Sequence, residues 1–479
     1  MRVEHPLWTY TEIAAATNGK AGRRFDATGV SIDSRKVERG DLFVALHGPN
    51  FDGNDFVANA LNAGAAGALV DRLPARMVAD MPVVAVADTL EGLRDLGRAA
   101  RGRSEARIVA VTGSVGKTST KEALRAALGA FGRTYASVGN LNNHWGAPLS
   151  LARMPRDSEF GVFELGMNHA GEITPLSQLV RPEVAVITTV EAVHIEFFAS
   201  VAEIADAKAE IMDGLLPGGA VVLPRDNAHF DRLADHARRR GFERILSFGV
   251  DAMSDARLVD CRVSPSGNRV SAEVFGKRLD YAIGMPGLHQ AVNSLAVLAA
   301  IAALDLDVAR AAEALAGVSA LKGRGARERL ELDVGAITLV DESYNASPAS
   351  VRAALALLGA SRPEGRGRRI AVLGDMRELG AAGPALHEEL APDLAKAEVA
   401  QVFLVGPLMG RLHAALPEAM RAGHWADSVA AIQPLLAALR AGDIVLVKGS
   451  LGTRMAPIVE AMRAADHKAT KRPKAANGD

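Results

Sequence analysis

The chain has one cysteine, Cys261, in 479 residues, which excludes an internal disulfide framework and a zinc site built on cysteines. It also lacks a charge excess: 55 Lys+Arg stand against 56 Asp+Glu, for a net charge of -1. No global field draws it to nucleic acid or to an anionic membrane, so any anion site must be built locally. Apolar runs fall short of the roughly 18 residues a spanning helix needs, and the Ala-rich stretch 291–303 reads as a buried helix instead. Met1-Arg2-Val3-Glu4-His5-Pro6 lacks the basic-then-apolar pattern of a secretory signal. The patterns G-x-S-x-G and H-E-x-x-H are missing too, which argues against the common hydrolase classes. These absences predict a soluble, cytoplasmic protein without a membrane span or a nucleic-acid partner.

What is present is apolar and periodic. Hydrophobic residues make up 49% of the chain, ample for buried cores, and the length suggests about three domains. Residues 1–88 mix strands (29–32 and 42–46) with a helix (56–63), a small N-terminal α/β domain. Residues 89–101 carry helical periodicity through Leu90, Leu93 and Leu96 and lead into a central domain, 89–320. There the strand-like runs 108–111, 160–165 and 184–189 alternate with helical pieces such as 120–131, the signature of a mostly parallel sheet with helices on its faces. Shorter, turn-rich strands over 220–283 predict an antiparallel extension. From 321 to 479, strands at 337–340, 370–373, 402–405 and 444–447 alternate with helices such as 384–396, a Rossmann-like α/β domain. It has no G-x-G-x-x-G, so no dinucleotide site is expected. The tail from Lys468 reads as disordered and solvated.

The most informative segment is Thr112-Gly113-Ser114-Val115-Gly116-Lys117-Thr118-Ser119. It lies between a strand and a helix, so glycine-bearing backbone lets N–H groups converge on phosphate oxygens while the helix N-terminus adds favourable polarity. Lys117 suits the β- and γ-phosphates, and the Thr118 hydroxyl suits Mg²⁺. The strict G-x-x-x-x-G-K-[ST] pattern would need glycine at Val111, so the loop is a shortened variant of a P-loop. As an ordinary strand-to-helix turn, the segment would leave Lys117 at a helix N-terminus with no anion to offset it.

This loop resembles the T-G-[TS]-x-G-K-[TS]-[TS] loop of the Mur ligases, ATP-dependent amide-forming enzymes of peptidoglycan synthesis. The resemblance extends through Asn140-Leu141-Asn142-Asn143, Glu164-Leu165-Gly166-Met167-Asn168, His194, Lys208, Gly287-Leu288-His289-Gln290, Asn293 and Gly323-Arg324, nearly the whole chain. Within the family, Asp341-Glu342-Ser343-Tyr344-Asn345-Ala346-Ser347-Pro348, Gly374-Asp375-Met376-Arg377-Glu378-Leu379-Gly380 with His387, and Val447-Lys448-Gly449-Ser450 look closest to the branch that adds D-alanyl-D-alanine. Asp33-Ser34-Arg35 resembles part of that branch's uridine-binding domain. Gln290 stands where the family usually has Asn, and Glu342 where a second Asp is usual.

The resemblance implies that a substrate carboxylate attacks the γ-phosphate of ATP, and that the amine of D-alanyl-D-alanine then displaces phosphate from the acyl phosphate. The carboxylate donor would be UDP-N-acetylmuramoyl-tripeptide. Two anions must meet, so cations must gather, and Lys117, Arg324 and Mg²⁺ suit that task. Glu164, at a strand end, can reach Mg²⁺ beside Thr118. By place in the family order, His194 would serve a second Mg²⁺, and Lys208 would be the lysine that reacts with CO₂ to form a metal-binding carbamate. Spacing alone would make Lys208 a surface lysine. His289 and Asn293 share a helix face at i, i+4, with Gln290 beside them; Gln290 and Asn293 offer the donor and acceptor that adenine's edge requires. Glu342, Asn345 and Ser347 would supply nucleotide contacts from the third domain. Ser34, Arg35, Asn142, Asn143 and Lys448 would contact the substrates, Ser34 and Arg35 through the uridine-binding domain. Ligands on two domains imply closure, and a monomer is expected. The rival expectations are another ligase of the superfamily, acting on a muramyl peptide or a folate, and a P-loop NTPase that releases phosphate without an acceptor.

Overall fold

The computed structural model describes residues 6–72 and 81–467. The signal-peptide reading of residues 1–5 and the tail from Lys468 therefore lie outside the described residues.

The chain begins with β1 (Trp8–Thr9), α1 (Tyr10–Thr17), β2 (Lys20–Ala21), β3 (Asp26–Ala27), β4 (Gly29–Ser31), β5 (Asp41–Val44), β6 (His47–Gly48), β7 (Phe51–Asp52), α2 (Val57–Asn62), β8 (Gly67–Val70) and β9 (Val83–Ala85). Five of these strands make a sheet in the order β2-β9-β8-β5-β4, parallel except at β2. Its Leu42, Val44, Leu69 and Val84 are fully buried. They pack with Leu93 and Leu96 of α3 (Thr89–Gly102), the helix that leads into the next unit. Asp88 starts that helix by accepting from the Glu91 amide, a side-chain N-cap.

The central unit continues with β10 (Arg107–Thr112), α4 (Lys117–Gly129), β11 (Thr134–Ala136), α5 (Gly146–Arg153), β12 (Phe160–Glu164), α6 (Ile173–Val180), β13 (Val184–Ile187), α7 (Val201–Ala209), β14 (Ala220–Pro224), α8 (Phe230–Arg239), β15 (Arg244–Gly249), β16 (Ala256–Ser264), β17 (Gly267–Val274), β18 (Lys277–Ile283), α9 (Leu288–Ala303) and α10 (Val308–Ala314). They form a nine-stranded sheet ordered β11-β12-β10-β13-β14-β15-β16-β17-β18. Helices α4 and α9 cover one face and α5 to α8 the other. Strands buried on both faces read as unbroken apolar runs, and all of Val109, Ala110 and Val111 is inaccessible.

The expected antiparallel extension over 220–283 is corrected here. Strands β14 and β15 continue the parallel sheet, and antiparallel pairing begins only between β16 and β17. The crossover helix α8 hides in a charged stretch; only Phe230, Leu233, Ala234 and Ala237 turn inward. Nor are the last strands short: β16, β17 and β18 have nine, eight and seven residues.

The last unit holds β19 (Ala326–Leu332), β20 (Gly335–Glu342), α11 (Pro348–Ala360), β21 (Arg369–Gly374), α12 (Gly383–Glu388), α13 (Ala391–Lys396), β22 (Gln401–Val405), α14 (Met409–Ala415), β23 (Arg421–Trp425), α15 (Ser428–Ala438), β24 (Ile444–Lys448) and α16 (Ala456–Ala464). Its sheet runs β19-β20-β24-β21-β22-β23, with β19 the antiparallel edge. Helices α11 to α14 pack on one face, α15 and α16 on the other. The single helix expected over 384–396 is two helices, α12 and α13. Pro392 lies in the first turn of α13, where its missing N–H is tolerated; inside one continuous helix it would break the ladder. Among the described residues, no helix is long and apolar enough to cross a membrane.

Candidate functional site

Strand β10 delivers the chain to the phosphate loop, and the loop is pinned from the strand beside it. Ser114 N donates to Thr189 O at 2.9 Å, the Glu191 amide donates to Ser114 Oγ at 2.9 Å, and Thr188 Oγ1 donates to Val115 O at 2.6 Å. Gly113 has φ +147 and lies so close to Thr188 that a Cβ would stand 1.9 Å from its Oγ1. Gly116, at φ +87, caps α4 and faces Asn293 Nδ2, 2.7 Å from where its own Cβ would be. Both positions therefore demand glycine. The close approach also brings Asn293, on α9, against the loop.

Lys117 opens α4 and folds back over the loop, donating to Gly113 O at 2.7 Å and to Ser114 O at 3.3 Å. Burial lowers its pKa; Glu164 partly offsets this, and the Arg324 charge lowers it further. Thr118 Oγ1 donates to Glu164 Oε2 at 2.8 Å, and Asn142 Nδ2 donates to Glu164 Oε1 at 2.8 Å. Glu164 is buried, and its amide donates to Ser137 Oγ at 3.2 Å. A buried carboxylate thus ties the phosphate helix, the strand β12 and the segment after β11 together. Ser119 Oγ donates back to Gly116 O at 3.1 Å.

Lys208 is not the surface lysine that spacing suggests. On α7 its neighbour Asp206 points outward to Arg232 and His236, while Lys208 is 3% exposed. Burial pushes its pKa well below the ordinary lysine value, and the Lys117 charge adds to the effect. An ammonium stripped of water and facing another cation favours the neutral amine.

Arg324 enters from the far side. It sits between Gly323 (φ +74) and Gly325 (φ +98), and its guanidinium lies over the Tyr344 ring, 4.2 Å from the centroid, a cation–π contact. Between α9 and the C-terminal unit is a cleft lined by His289, Gln290, Arg324, Glu342, Leu357 and others. Gln290 Oε1 is buried there without a hydrogen-bond partner, and burial lowers the His289 pKa. Asn345 and Ser347 follow β20; Ser347 caps α11 by accepting from the Ser350 amide at 3.4 Å.

His194 stands after β13 with left-handed backbone, φ 60, and its Nδ1 lies against Glu378 of the C-terminal unit. Other expected residues find internal partners. Lys448 is buried and donates to Glu342 Oε2 at 3.0 Å and Asn345 O at 2.9 Å. Those two bonds engage two of its three N–H donors. Asn143 Oδ1 caps the start of α5 through the Trp145 and Gly146 amides. Arg35 is exposed and doubly bonded to Asp33, at 2.9 Å each, with Ser34 beside it. No hydrogen bond among the described residues joins Ser34 or Arg35 to the phosphate loop.

Sequence reading missed Lys121, one turn after Lys117. It is fully buried, donating to Ser137 O at 2.5 Å and Gly139 O at 3.2 Å, and so fixes the segment carrying Asn142. The one available signal was its position four residues from Lys117, on the inward face of α4. Tyr344 and Glu378 lie in quoted motifs, but nothing in the pattern singles them out.

Comparison with known proteins places three domain descriptions along the chain: "Mur ligase family, catalytic domain" over residues 26–101, "Mur ligase middle domain" over 111–301, and "Mur ligase, glutamate ligase domain" over 328–451. An Escherichia coli relative, UDP-N-acetylmuramoyl-tripeptide–D-alanyl-D-alanine ligase, is 35% identical over 461 residues, covering 95% of this chain and 98% of the relative. The crystal structure of MurF from Acinetobacter baumannii superposes with a TM-score of 0.82 at 27% identity, covering 95% of this chain and 99% of that one. MurF ligase from Thermotoga maritima in complex with ADP gives 0.75 at 27% identity, covering 92% and 98%.

Proposed function

The chain belongs to the Mur ligase family, and from that premise we propose that it joins D-alanyl-D-alanine to UDP-N-acetylmuramoyl-tripeptide at the expense of ATP. The observation that carries the chemistry is the convergence of Lys117, Thr118, Glu164, Lys208 and Arg324 around one phosphate loop. Each unit has its own large sheet, and we propose domain limits at 1–88, 89–320 and 321–479.

A carboxylate is a poor acyl donor because its leaving group would be hydroxide or oxide. Transfer of the γ-phosphoryl group onto the carboxylate, with ADP leaving, makes a phosphate leaving group. The dipeptide amine then attacks the acyl carbon, expels phosphate and loses a proton. Lys117 and Arg324 approach this transfer from opposite units and offset the charge shared by nucleophile and phosphoryl group. Burial is the main reason the Lys117 pKa is lowered and the Arg324 charge adds to it; a polyanion between the two cations relieves that repulsion. The cleft beside Gln290 and Asn293 takes the nucleotide's base, with Gln290 Oε1 as an available acceptor.

Thr118 and Glu164 fit a magnesium ion: a hydroxyl and a carboxylate, both hard oxygen donors, lie 2.8 Å apart. Once bound there, the ion would neutralise part of the triphosphate charge. His194 would belong to a second such site. Burial favours the neutral Lys208 amine, the form that adds CO₂, giving a carbamate and a proton. That change would place an anion near Lys117. We place the reaction in the cytoplasm, with the chain acting as a monomer.

Acceptor profiling tests this reading. Purified protein with ATP and UDP-muramyl tripeptide, offered D-alanyl-D-alanine or single amino acids, should yield a mass increment of the dipeptide alone. Products from single amino acids would favour an amino-acid-adding relative. Steady phosphate release without any acceptor would favour an NTPase.

A further inference from the structure

The C-terminal unit reaches the central unit through Glu378, a residue that the mechanism above does not use. The loop after β21 carries Glu378, whose Oε2 is in direct contact with His194 Nδ1 in the loop after β13. Both residues hold left-handed backbone, φ 64 at Glu378 and φ 60 at His194. Non-glycine side chains rarely adopt it, and it persists where the surroundings enforce it. Two residues on, Gly380 (φ +55) comes so close to Glu196 that a Cβ would lie 3.4 Å from the Glu196 Cα. The two loops therefore meet side chain to side chain and backbone to backbone.

With the Glu378 carboxylate against Nδ1, the ring cannot rotate without losing that contact. His194 Nδ1 is buried and makes no hydrogen bond among the described residues; its polar contact is the Glu378 carboxylate. The carboxylate that holds it belongs to another unit, so the ring is fixed only while the two units are docked.

Building on the ligase reading, we propose that Glu378 is a positioning residue that couples docking of the C-terminal unit to the orientation of the His194 ring. Docking and ring alignment become one event, so phosphoryl transfer is confined to the docked state.

The test uses the full-length chain with Glu378→Ala, Glu378→Gln, His194→Ala and the double Glu378→Ala/His194→Ala, each first checked for an unchanged melting temperature and ADP affinity. Glu378→Ala should lower kcat by about 10- to 100-fold, the range for partners that orient a functional histidine, while KM for the muramyl tripeptide stays close to that of the unmodified protein. Glu378→Gln, whose side chain of the same length can still meet Nδ1, should recover much of the loss. The double variant should be no slower than His194→Ala. With ¹⁵N-histidine labelling at fixed pH, the His194 ring signals should shift in Glu378→Ala and stay near their original positions in Glu378→Gln. An unchanged kcat in Glu378→Ala, losses that multiply in the double variant, or unmoved ring signals would overturn the proposal. If Glu378→Ala does not fold, Glu378→Gln and the His194 signals still decide. Failure of the ligase reading would show separately, as absence of peptide product from the unmodified protein, while the ring signals need no turnover.

Discussion

Thr118 and Glu164 share a hydrogen bond of 2.8 Å although 46 residues separate them. Parallel pairing of β10 with β12 sets Val111 opposite Glu164, so the carboxylate arrives beside the loop just as the chain turns into α4. The pair therefore depends on strand register as much as on either side chain, since a one-residue slip would send Glu164 to the other face.

Removing that carboxylate should damage both activity and fold. Glu164→Ala leaves Thr118 Oγ1 and Asn142 Nδ2 without partners, at about 1–3 kcal/mol for an unsatisfied buried group. The rate of ligation should fall by about 10²–10³, the scale for loss of one preorganised electrostatic group. Denaturant unfolding and rates measured against magnesium concentration check both parts, and an unaltered magnesium dependence would count against the metal role.

Gly116→Ala should abolish ADP binding while sparing the rest of the chain. The added methyl would meet Asn293 at 2.7 Å, in a backbone with φ +87. That backbone costs an L-residue roughly 1–2 kcal/mol. Calorimetric titration with ADP and a thermal melt separate the two losses; normal ADP affinity would show that the loop tolerates a side chain.

Activity should depend on dissolved CO₂ through Lys208. Degassed, bicarbonate-free buffer should slow the enzyme, and bicarbonate should restore it. Lys208→Ala should be inactive and partly rescued by short-chain carboxylates able to occupy the vacated space. Loss without rescue would argue against a carbamate.

His387 provides a pH signature of stability. It is buried, with Nε2 accepting from the Met376 amide at 2.9 Å and Nδ1 donating to Gly383 O at 2.6 Å. Burial holds its pKa below the ordinary histidine value, so the folded ring stays neutral as pH falls through ~6.5, where the unfolded ring gains a proton. The unfolded state then binds more protons, and stability must decline on acidification from ~6.5 down to the lowered folded pKa. His387→Gln, though less stable at pH 7, should show a shallower decline between pH 7 and 5. Equal slopes would assign the acid sensitivity elsewhere.

Docking of the C-terminal unit should respond to substrates. Small-angle scattering with ADP and muramyl tripeptide should give a smaller radius of gyration than the free chain. Identical curves would undercut closure.

Much of the frame was legible in advance because its elements carry their own punctuation. Parallel strands such as β10 and β24 announce themselves as short apolar runs, and α3 declares its start at Asp88 and its face through Leu93 and Leu96. The phosphate loop was legible for the same reason: glycine at 113 and 116 has few other uses between a strand and a helix. What stayed hidden depended on neighbours far away in sequence. The α8 crossover disappears into a charged run because one narrow apolar stripe suffices on a half-exposed helix. Lys208 looked exposed because it neighbours Asp206, yet it shares its face with buried Ile204, four residues back. Lys448 looked free because its partner Glu342 is 106 residues away. Polar side chains that bond across sheets leave no local periodicity to read.

Arg324 lies in the linker that joins the last two units, and its two glycine neighbours, at φ +74 and φ +98, are left-handed. Gly325 N donates to Asp341 O at 2.8 Å and Tyr344 N to Gly323 O at 3.1 Å, so the C-terminal unit grips the backbone on both sides of the guanidinium. Backbone of this hand suits glycine and strains other residues. Replacing either flanking glycine would therefore disturb the joint between the units and the place of the charge together, so linkage and electrostatics at this site cannot be tuned apart.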